Sequence, residues 1–146
     1  MKAFPSALPE ARLLPLGDAA LTVEFGSAIE PQVHARVLGF ASALEELAAR
    51  GRIDGVLEWV PTFRLVTVHF DPDRIDAETL AAELQVLART SPSLTVAGAR
   101  WRIPVCFEPE FAPDLDELAS ARALPRERVI ALMTQTVFSV YMLGFQ

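Results

Sequence analysis

Arg64-Leu65-Val66-Thr67-Val68-His69-Phe70 is the segment with the clearest strand pattern in this chain of 146 residues. In an extended conformation Val66, Val68 and Phe70 fall on one face, and Leu65, Thr67 and His69 fall on the opposite face. A period of two is typical of a β-strand with one buried face. The segment therefore predicts a sheet that is covered on one side.

The segments around this strand repeat an order of two strands followed by one helix. Apolar residues at 3.6-residue spacing predict a helix that begins at Pro31 and ends before Gly51, both favoured at those positions. Asp76 is predicted to cap a second helix. The predicted strands are 12–16, 21–25, 56–60 and 64–70. Together these elements predict an α+β domain over residues 1–92, a two-layer ββαββα sandwich with both helices on one face of an antiparallel sheet.

Residues 93–146 are predicted to begin a second domain after a linker at 90–93. Alternation predicts strands at 100–107 and 138–145, with two short helices between them. These strands have no second amphipathic sheet to pack on, and a strand cannot satisfy its own backbone groups. We therefore expect them to pair with each other or with another chain, and the polypeptide to be the truncated front part of a longer one.

Composition and charge exclude several classes of protein. The net charge of −6 is unfavourable for binding nucleic acid, and no apolar run approaches the roughly 18 residues that span a membrane. The first residues lack the apolar core of a signal peptide. Cys106 is the only cysteine, which excludes an internal disulfide and a cysteine-based metal cluster. These features predict a cytoplasmic protein of bacterial type, without nucleic-acid or membrane partners.

Residues suited to catalysis are sparse. The sequence has neither a glycine-rich phosphate loop nor a nucleophile elbow, and His34 and His69 lie on different elements without a third metal ligand. His34 and Arg36 flank the apolar stripe of the first helix and are expected to face water. Cys106 is expected to pack in a core strand. These patterns therefore predict no catalytic residue and no metal ligand.

Charged side chains offer two further hypotheses. Arg64 and Arg102 project from predicted strands, where an arginine can bind a carboxylate or phosphate, although exposed arginines on strands are common. A group of carboxylates is compatible with acid–base chemistry, but favourable interaction with a helix dipole explains them more simply. This group is Glu108, Glu110, Asp114, Asp116 and Glu117.

Four blocks of sequence resemble one known family. They are residues 16–26 (LGDAALTVEFG), 68–72 (VHFDP), 103–107 (IPVCF) with 113–115 (PDL), and 129–132 (VIAL) leading to 140–145 (VYMLGF). In this order they are similar to the B subunit of the bacterial ATP-dependent 5-oxoprolinases, from about residue 12 to the end. The same family has been labelled allophanate hydrolase subunit 1 and includes an inhibitor of a sporulation histidine kinase.

The resemblance implies a fold and a reaction. In that family the chain continues into a β-rich, cyclophilin-like domain, so residues 93–146 are expected to be the truncated start of a cyclophilin-like β-barrel. The implied reaction is hydrolysis of 5-oxoproline to glutamate, coupled to cleavage of ATP to ADP and phosphate. A five-membered lactam is a poor electrophile, and phosphorylation of its amide oxygen would make the ring carbon open to attack by water.

The resemblance also implies partners and a substrate site. ATP and Mg²⁺ are expected in the complete assembly, bound by the other 5-oxoprolinase subunits and not by this fragment, which is then inactive alone. A homo-oligomer through strand edges is a further hypothesis. Tyr141, Gly144 and Phe145 are predicted to form the near edge of the substrate-binding cleft, although packing in a core strand also explains them.

Three other roles are compatible with the resemblance. The first is a protein that inhibits a sporulation-type sensor histidine kinase through its surface, without chemistry of its own. The second is a subunit similar to allophanate hydrolases or carboxyltransferases, and the third is an assembly domain with neither role. Stimulation of ATP hydrolysis by 5-oxoproline distinguishes the enzyme subunit from the kinase inhibitor.

Overall fold

The computed structural model describes residues 10–95 and 98–144 of the chain. The described residues divide into two compact units, one formed by 10–95 with 141–144 and the other by 98–140. The predicted domain boundary between residues 92 and 93 stays a prediction. The elements are β1 (Arg12–Pro15), β2 (Ala20–Glu24), α1 (Pro31–Ala49), β3 (Val56–Pro61), β4 (Leu65–Phe70), α2 (Ala77–Thr90), α3 (Leu115–Ala121) and α4 (Arg126–Gln135).

The strands of the first unit form one antiparallel sheet in the order β1-β2-β4-β3. At its centre Thr22 of β2 pairs in register with Thr67 of β4, and their hydroxyl oxygens are 3.4 Å apart. The edge strands β1 and β3 end at Pro15 and Pro61, and edge strands are where a sheet tolerates a residue without an N–H group. The predicted α+β class with an antiparallel sheet is confirmed.

One face of this sheet and the helices α1 and α2 share a single hydrophobic core. Phe40 of α1 has no exposed surface, and its ring centroid lies 5.4 Å from that of Phe25, with the ring planes tilted by 58°. Val23, Val66 and Val68 contribute the centre of the sheet and are equally buried. The face of β4 that alternation predicted to be buried is therefore buried, against the apolar stripe of α1.

Arg36 of α1 was expected to face water, but it packs against Phe25 instead. Its guanidinium lies 5.0 Å from the centroid of the Phe25 ring, and Nη1 donates a hydrogen bond to the Phe25 carbonyl oxygen at 3.1 Å. Partial burial lowers the pKa of Arg36 from its usual value. The expectation was wrong because a guanidinium can cover an aromatic face while it keeps its hydrogen bonds.

Asp76 caps α2 as predicted. Its Oδ2 accepts a hydrogen bond from the Thr79 hydroxyl at 2.7 Å, and its Oδ1 accepts one from the Thr79 backbone N–H at 2.8 Å. Both bonds favour the ionised carboxylate, so they lower the pKa of Asp76 in the folded chain. The cap therefore stabilises the fold fully at pH values above about 3.9, the ordinary pKa of an aspartate. This stabilisation is lost as the pH falls through the lower pKa of the folded state.

Replacing Asp76 by alanine should reduce stability by a modest amount near neutral pH, because the first turn of α2 loses its cap. The difference from the wild type should shrink as the pH falls below about 4, because the capping carboxylate of the wild type becomes protonated as the pH falls through its lowered folded-state pKa. Urea unfolding at a series of pH values measures both effects. Asp114 is a matched control, since it stands at the N-cap of α3 without a side-chain capping bond. A pH-independent difference would contradict the prediction.

The second unit consists of α3, α4 and the chain that precedes and follows them. Leu115 and Ala119 of α3 and Val129 of α4 form its buried cluster. Arg126, at the start of α4, pairs with Asp116 and also donates a hydrogen bond to the carbonyl oxygen of residue 107. Across residues 10–95 and 98–144, no helix is long and apolar enough to cross a membrane.

The predicted strands of this region are wrong for the residues that the structure describes. Neither 100–107 nor 138–144 forms a strand, and residue 145 lies outside the described residues. Alternation of side chains is not sufficient for a strand, because a strand also needs a neighbour that pairs with its backbone N–H and C=O groups. The apolar side chains of the first segment remain exposed, with Trp101 at 81% and Ile103 at 79%. The predicted start of a cyclophilin-like β-barrel is not confirmed.

Candidate functional site

Two of the residues predicted to bind substrate lie in the described part of the chain, whereas Phe145 lies outside it. Tyr141 is half buried, and its ring contacts the imidazole of His34 with the centroids 4.9 Å apart and the planes at 79°. This is an edge-to-face arrangement. Gly144 is exposed and has a φ of +113°, a conformation that favours glycine. The structure thus brings Tyr141 to His34, while the binding roles of Tyr141, Gly144 and Phe145 stay predictions.

His34 is held near the start of α1, where its backbone N–H donates to the Glu30 carbonyl oxygen at 3.0 Å. Its side chain is half buried beside Tyr141, so the prediction that it faces water is wrong. The Nδ1 atom is buried and has no hydrogen-bond partner within the described residues. An imidazole nitrogen can donate or accept, and a buried polar atom without a partner is a natural contact for a ligand group or an ordered water.

Sequence reasoning missed the pairing of His34 with Tyr141. The two residues belong to different predicted domains, and no motif joins them. The available signal was weak: His34 adjoins the apolar stripe of α1, so a side chain packed against that edge of the helix would also cover the histidine. The candidate site is therefore the short region around these two rings and Gly144.

A charged cluster lies where β2 ends at Glu24, with Arg12 at the start of β1 and Arg64 immediately before β4. The Glu24 side chain is only 12% exposed and forms ion pairs with both Arg64 and Arg12, the latter at 3.4 Å. Arg64 also donates to the Gly26 carbonyl oxygen at 3.2 Å. Because Arg64 already binds a carboxylate of its own chain, it is not the free anion-binding site that the sequence suggested. Arg102 is exposed.

The acidic residues of the second unit do not form a metal site. Nη1 of Arg126 lies 2.6 Å from Oδ1 of Asp116, which is thereby neutralised. Within residues 10–95 and 98–144, no group of three His, Cys, Asp or Glu side chains is placed to hold a metal ion. Cys106 is exposed, so its predicted burial is wrong. The strand that was expected to bury it is not formed.

Comparison with known proteins places these features in a family. A family model described as the carboxyltransferase domain, subdomain C and D, matches residues 11–146. The B subunit of the 5-oxoprolinase of Bacillus subtilis (strain 168) is 34% identical over 141 residues, which cover 89% of this chain and 57% of that protein. The chain thus spans just over half the length of this curated relative. The resemblance to the family of 5-oxoprolinase B subunits is confirmed.

Solved structures agree on the fold. The crystal structure of TTHA0988 has a TM-score of 0.61 and 28% identity, with 86% of this chain and 23% of that chain covered. The urea carboxylase of Kluyveromyces lactis has a TM-score of 0.70 over 92% of this chain and 14% of that chain, and its identity of 19% shows a shared fold alone. Because the family model covers nearly the whole sequence, this chain belongs to the family of carboxyltransferase domains, subdomains C and D.

Proposed function

We propose that this chain acts as a subunit of a bacterial ATP-dependent 5-oxoprolinase and is inactive on its own. The observation that carries the proposal is the identity of 34% over 141 residues to a protein described as the B subunit of a 5-oxoprolinase. An alignment that covers 89% of this chain includes both compact units and is not confined to one motif. Since the alignment spans 57% of that relative, this chain is proposed to supply one part of the working assembly.

In the proposed reaction, water opens the lactam of 5-oxoproline to give glutamate while ATP is cleaved to ADP and phosphate. The sequence has no glycine-rich phosphate loop, and the described residues hold no cluster suited to Mg²⁺. These residues do not fit a nucleotide site, so we assign ATP and Mg²⁺ to the other subunits. Because ATP is a cytoplasmic substrate, the proposal also places the assembly in the cytoplasm.

Tyr141, Gly144 and Phe145 are the residues that we propose to border the substrate. A tyrosine supplies an apolar ring and a hydroxyl, which together suit a small polar lactam. Gly144, with a positive φ and no side chain, allows a ligand to approach the backbone closely. The imidazole that contacts the Tyr141 ring also carries the buried Nδ1 of His34, which has no hydrogen-bond partner within the described residues.

Exposed apolar side chains support a role in assembly. Trp101 is 81% exposed, Ile103 79% and Leu143 90%, although large apolar side chains are usually covered. The sequences of residues 100–107 and 138–145 alternate as strands do. Such a segment forms a strand when a neighbouring strand pairs with its backbone N–H and C=O groups. We propose that residues 93–146 complete a β-rich, cyclophilin-like domain when the additional sequence found in longer relatives, or a partner subunit, provides those neighbours.

Reconstitution tests the proposed reaction. The chain is produced together with the products of the neighbouring genes, and ATP hydrolysis is measured with and without 5-oxoproline. We expect 5-oxoproline to stimulate hydrolysis only when the chain and its partners are all present. Tight binding to a histidine kinase without any stimulation would support the inhibitor role instead. Stimulation by allophanate alone would support a subunit of the allophanate hydrolase or carboxyltransferase type.

Replacing Trp101 by alanine should weaken binding to the partner subunits by about 2 kcal/mol, close to thirtyfold in Kd, if its ring anchors that interface. The chain's own unfolding should not change, because the ring is 81% exposed. Isothermal titration calorimetry measures the first effect and denaturant unfolding the second. Leu57→Ala is the control, since Leu57 is 64% exposed on the sheet of the other unit. Equal losses of binding in both variants would argue against the assigned interface.

A further inference from the structure

Helices α1 and α2 border an apolar groove that the proposed function does not use. The groove has a volume of about 510 Å³, and apolar side chains such as Leu47 and Leu87 form most of its lining. Arg52 lies on the α1 side and Glu83 on the α2 side. Val86, which also lines the groove, is 60% exposed. An apolar strip with one positive and one negative side chain at its borders is therefore open to solvent.

Arg52 is fixed at the border of the groove by the way α1 ends. Gly51 has a φ of +64°, and its N–H donates to the Ala48 carbonyl oxygen at 2.9 Å. The Arg52 N–H donates to the Leu47 carbonyl oxygen at 3.0 Å. This left-handed glycine with two reversed hydrogen bonds is a common rigid helix end. These bonds thus fix the backbone of Arg52 at the border of the groove before any partner binds.

Within the described residues, Arg52 has no ion pair and no side-chain hydrogen bond, and the same is true of Glu83 across the groove. This separates Arg52 from the other arginines between residues 10 and 95, each of which has a carboxylate or carbonyl partner. Those partnered arginines are Arg12, Arg36, Arg50, Arg64, Arg74 and Arg89. An occupant of the groove is thus expected to bring one negative charge, one positive charge and an apolar side chain between them.

We propose that the occupant is a second copy of this chain, in a dimer with twofold symmetry. A twofold axis presents the same surface from both copies, so Arg52 of each copy meets Glu83 of the other. Val86 of each copy then packs into the apolar lining opposite, where its exposed side chain is removed from water. A second copy supplies both charges at once, which an amphiphile with a single charge does not.

Charge reversal tests this arrangement in the full chain. Glu83→Arg places two arginines opposite each other, and Arg52→Glu places two glutamates opposite each other, so each single change should raise the dimer Kd by about tenfold or more. The double change Arg52→Glu with Glu83→Arg reverses both pairs and should restore the wild-type Kd. Sedimentation equilibrium at low ionic strength, where exposed charges are least screened, measures these values.

Glu58→Arg is the matched control, since it makes the same charge change at an exposed residue of β3 that does not line the groove. It should leave the dimer Kd unchanged, and circular dichroism should show that every variant is folded. A wild-type chain that stays monomeric would overturn the proposal and leave the groove to another protein or a small amphiphile. A dimer that tolerates both single reversals, or that the double change does not restore, would overturn it as well.

Discussion

Replacing Phe40 by alanine should lower the free energy of unfolding by about 3–5 kcal/mol, the usual cost of removing a buried phenylalanine ring. Phe40 has no exposed surface and contacts Phe25, whose ring is also buried. It sits on α1 where that helix meets the sheet, so the cavity would open in the middle of the core. The surrounding strands are held by their backbone hydrogen bonds and cannot collapse to fill the cavity.

Denaturant unfolding followed by circular dichroism measures this loss. The control is the same chemical change at Phe111, which is 66% exposed, and there the free energy of unfolding should change by no more than about 0.5 kcal/mol. The comparison separates burial from the general effect of losing an aromatic ring. Similar losses in both variants would mean that Phe40 does not occupy the core position described.

The fold of residues 10–90 was predictable because its signals are local. The alternation of Val66, Val68 and Phe70 identified the buried face of β4, and standard signals marked both ends of α1 and the start of α2. Gly51 ends α1 in a left-handed conformation, and Asp76 caps α2 with its side chain. Each of these features is decided within a few residues of chain.

The errors occurred where the surroundings decide the outcome. Residues 100–107 alternate as a strand does, but no neighbouring strand is available within the described residues, and so the apolar side chains and Cys106 stay exposed. Arg36 was expected in water because it flanks the apolar stripe of α1, yet its guanidinium contacts the Phe25 ring and donates to the Phe25 carbonyl oxygen. Such environments are created by tertiary packing, which periodicity does not report.

The candidate site was only partly predictable for the same reason. Tyr141 and Gly144 came from a family resemblance, and nothing in the sequence placed Tyr141 against His34. The charge of Arg64 was visible, but its neutralisation by Glu24 depends on the pairing of β2 with β4. The groove charges Arg52 and Glu83 likewise have meaning only once α1 and α2 lie side by side.

Gly39 is a second position where a small change should have a large effect. It is buried in the middle of α1, and the carbonyl oxygen of Pro92 lies where a β-carbon would be. The segment after α2 crosses the helix here, and the Leu94 N–H donates to the Ala35 carbonyl oxygen at 2.8 Å. A glycine inside an apolar helical stripe often marks such a close approach of backbone. Pro92, in the segment predicted as a linker, therefore packs against α1.

Two effects of Gly39→Ala oppose each other. Alanine favours a helix interior over glycine by about 1 kcal/mol. Its methyl group, however, overlaps a backbone carbonyl, which yields less easily than a flexible side chain, so the segment at 92–94 must move and its bond to Ala35 must break. Overpacking of this kind costs about 1–3 kcal/mol, and the loss of the hydrogen bond adds about 1 kcal/mol, so the net change should be destabilising.

Hydrogen exchange distinguishes this mechanism from a general loss of stability. In Gly39→Ala the Leu94 amide should lose its protection even under conditions where the chain is fully folded, while the central amides of β4 keep theirs. Gly98→Ala is the control, because a β-carbon at Gly98 meets nothing within 4 Å and should leave both stability and exchange unchanged. If Gly39→Ala instead raises the free energy of unfolding, helix propensity outweighs the overlap, and the close crossing of residues 92–94 over α1 is not maintained in solution.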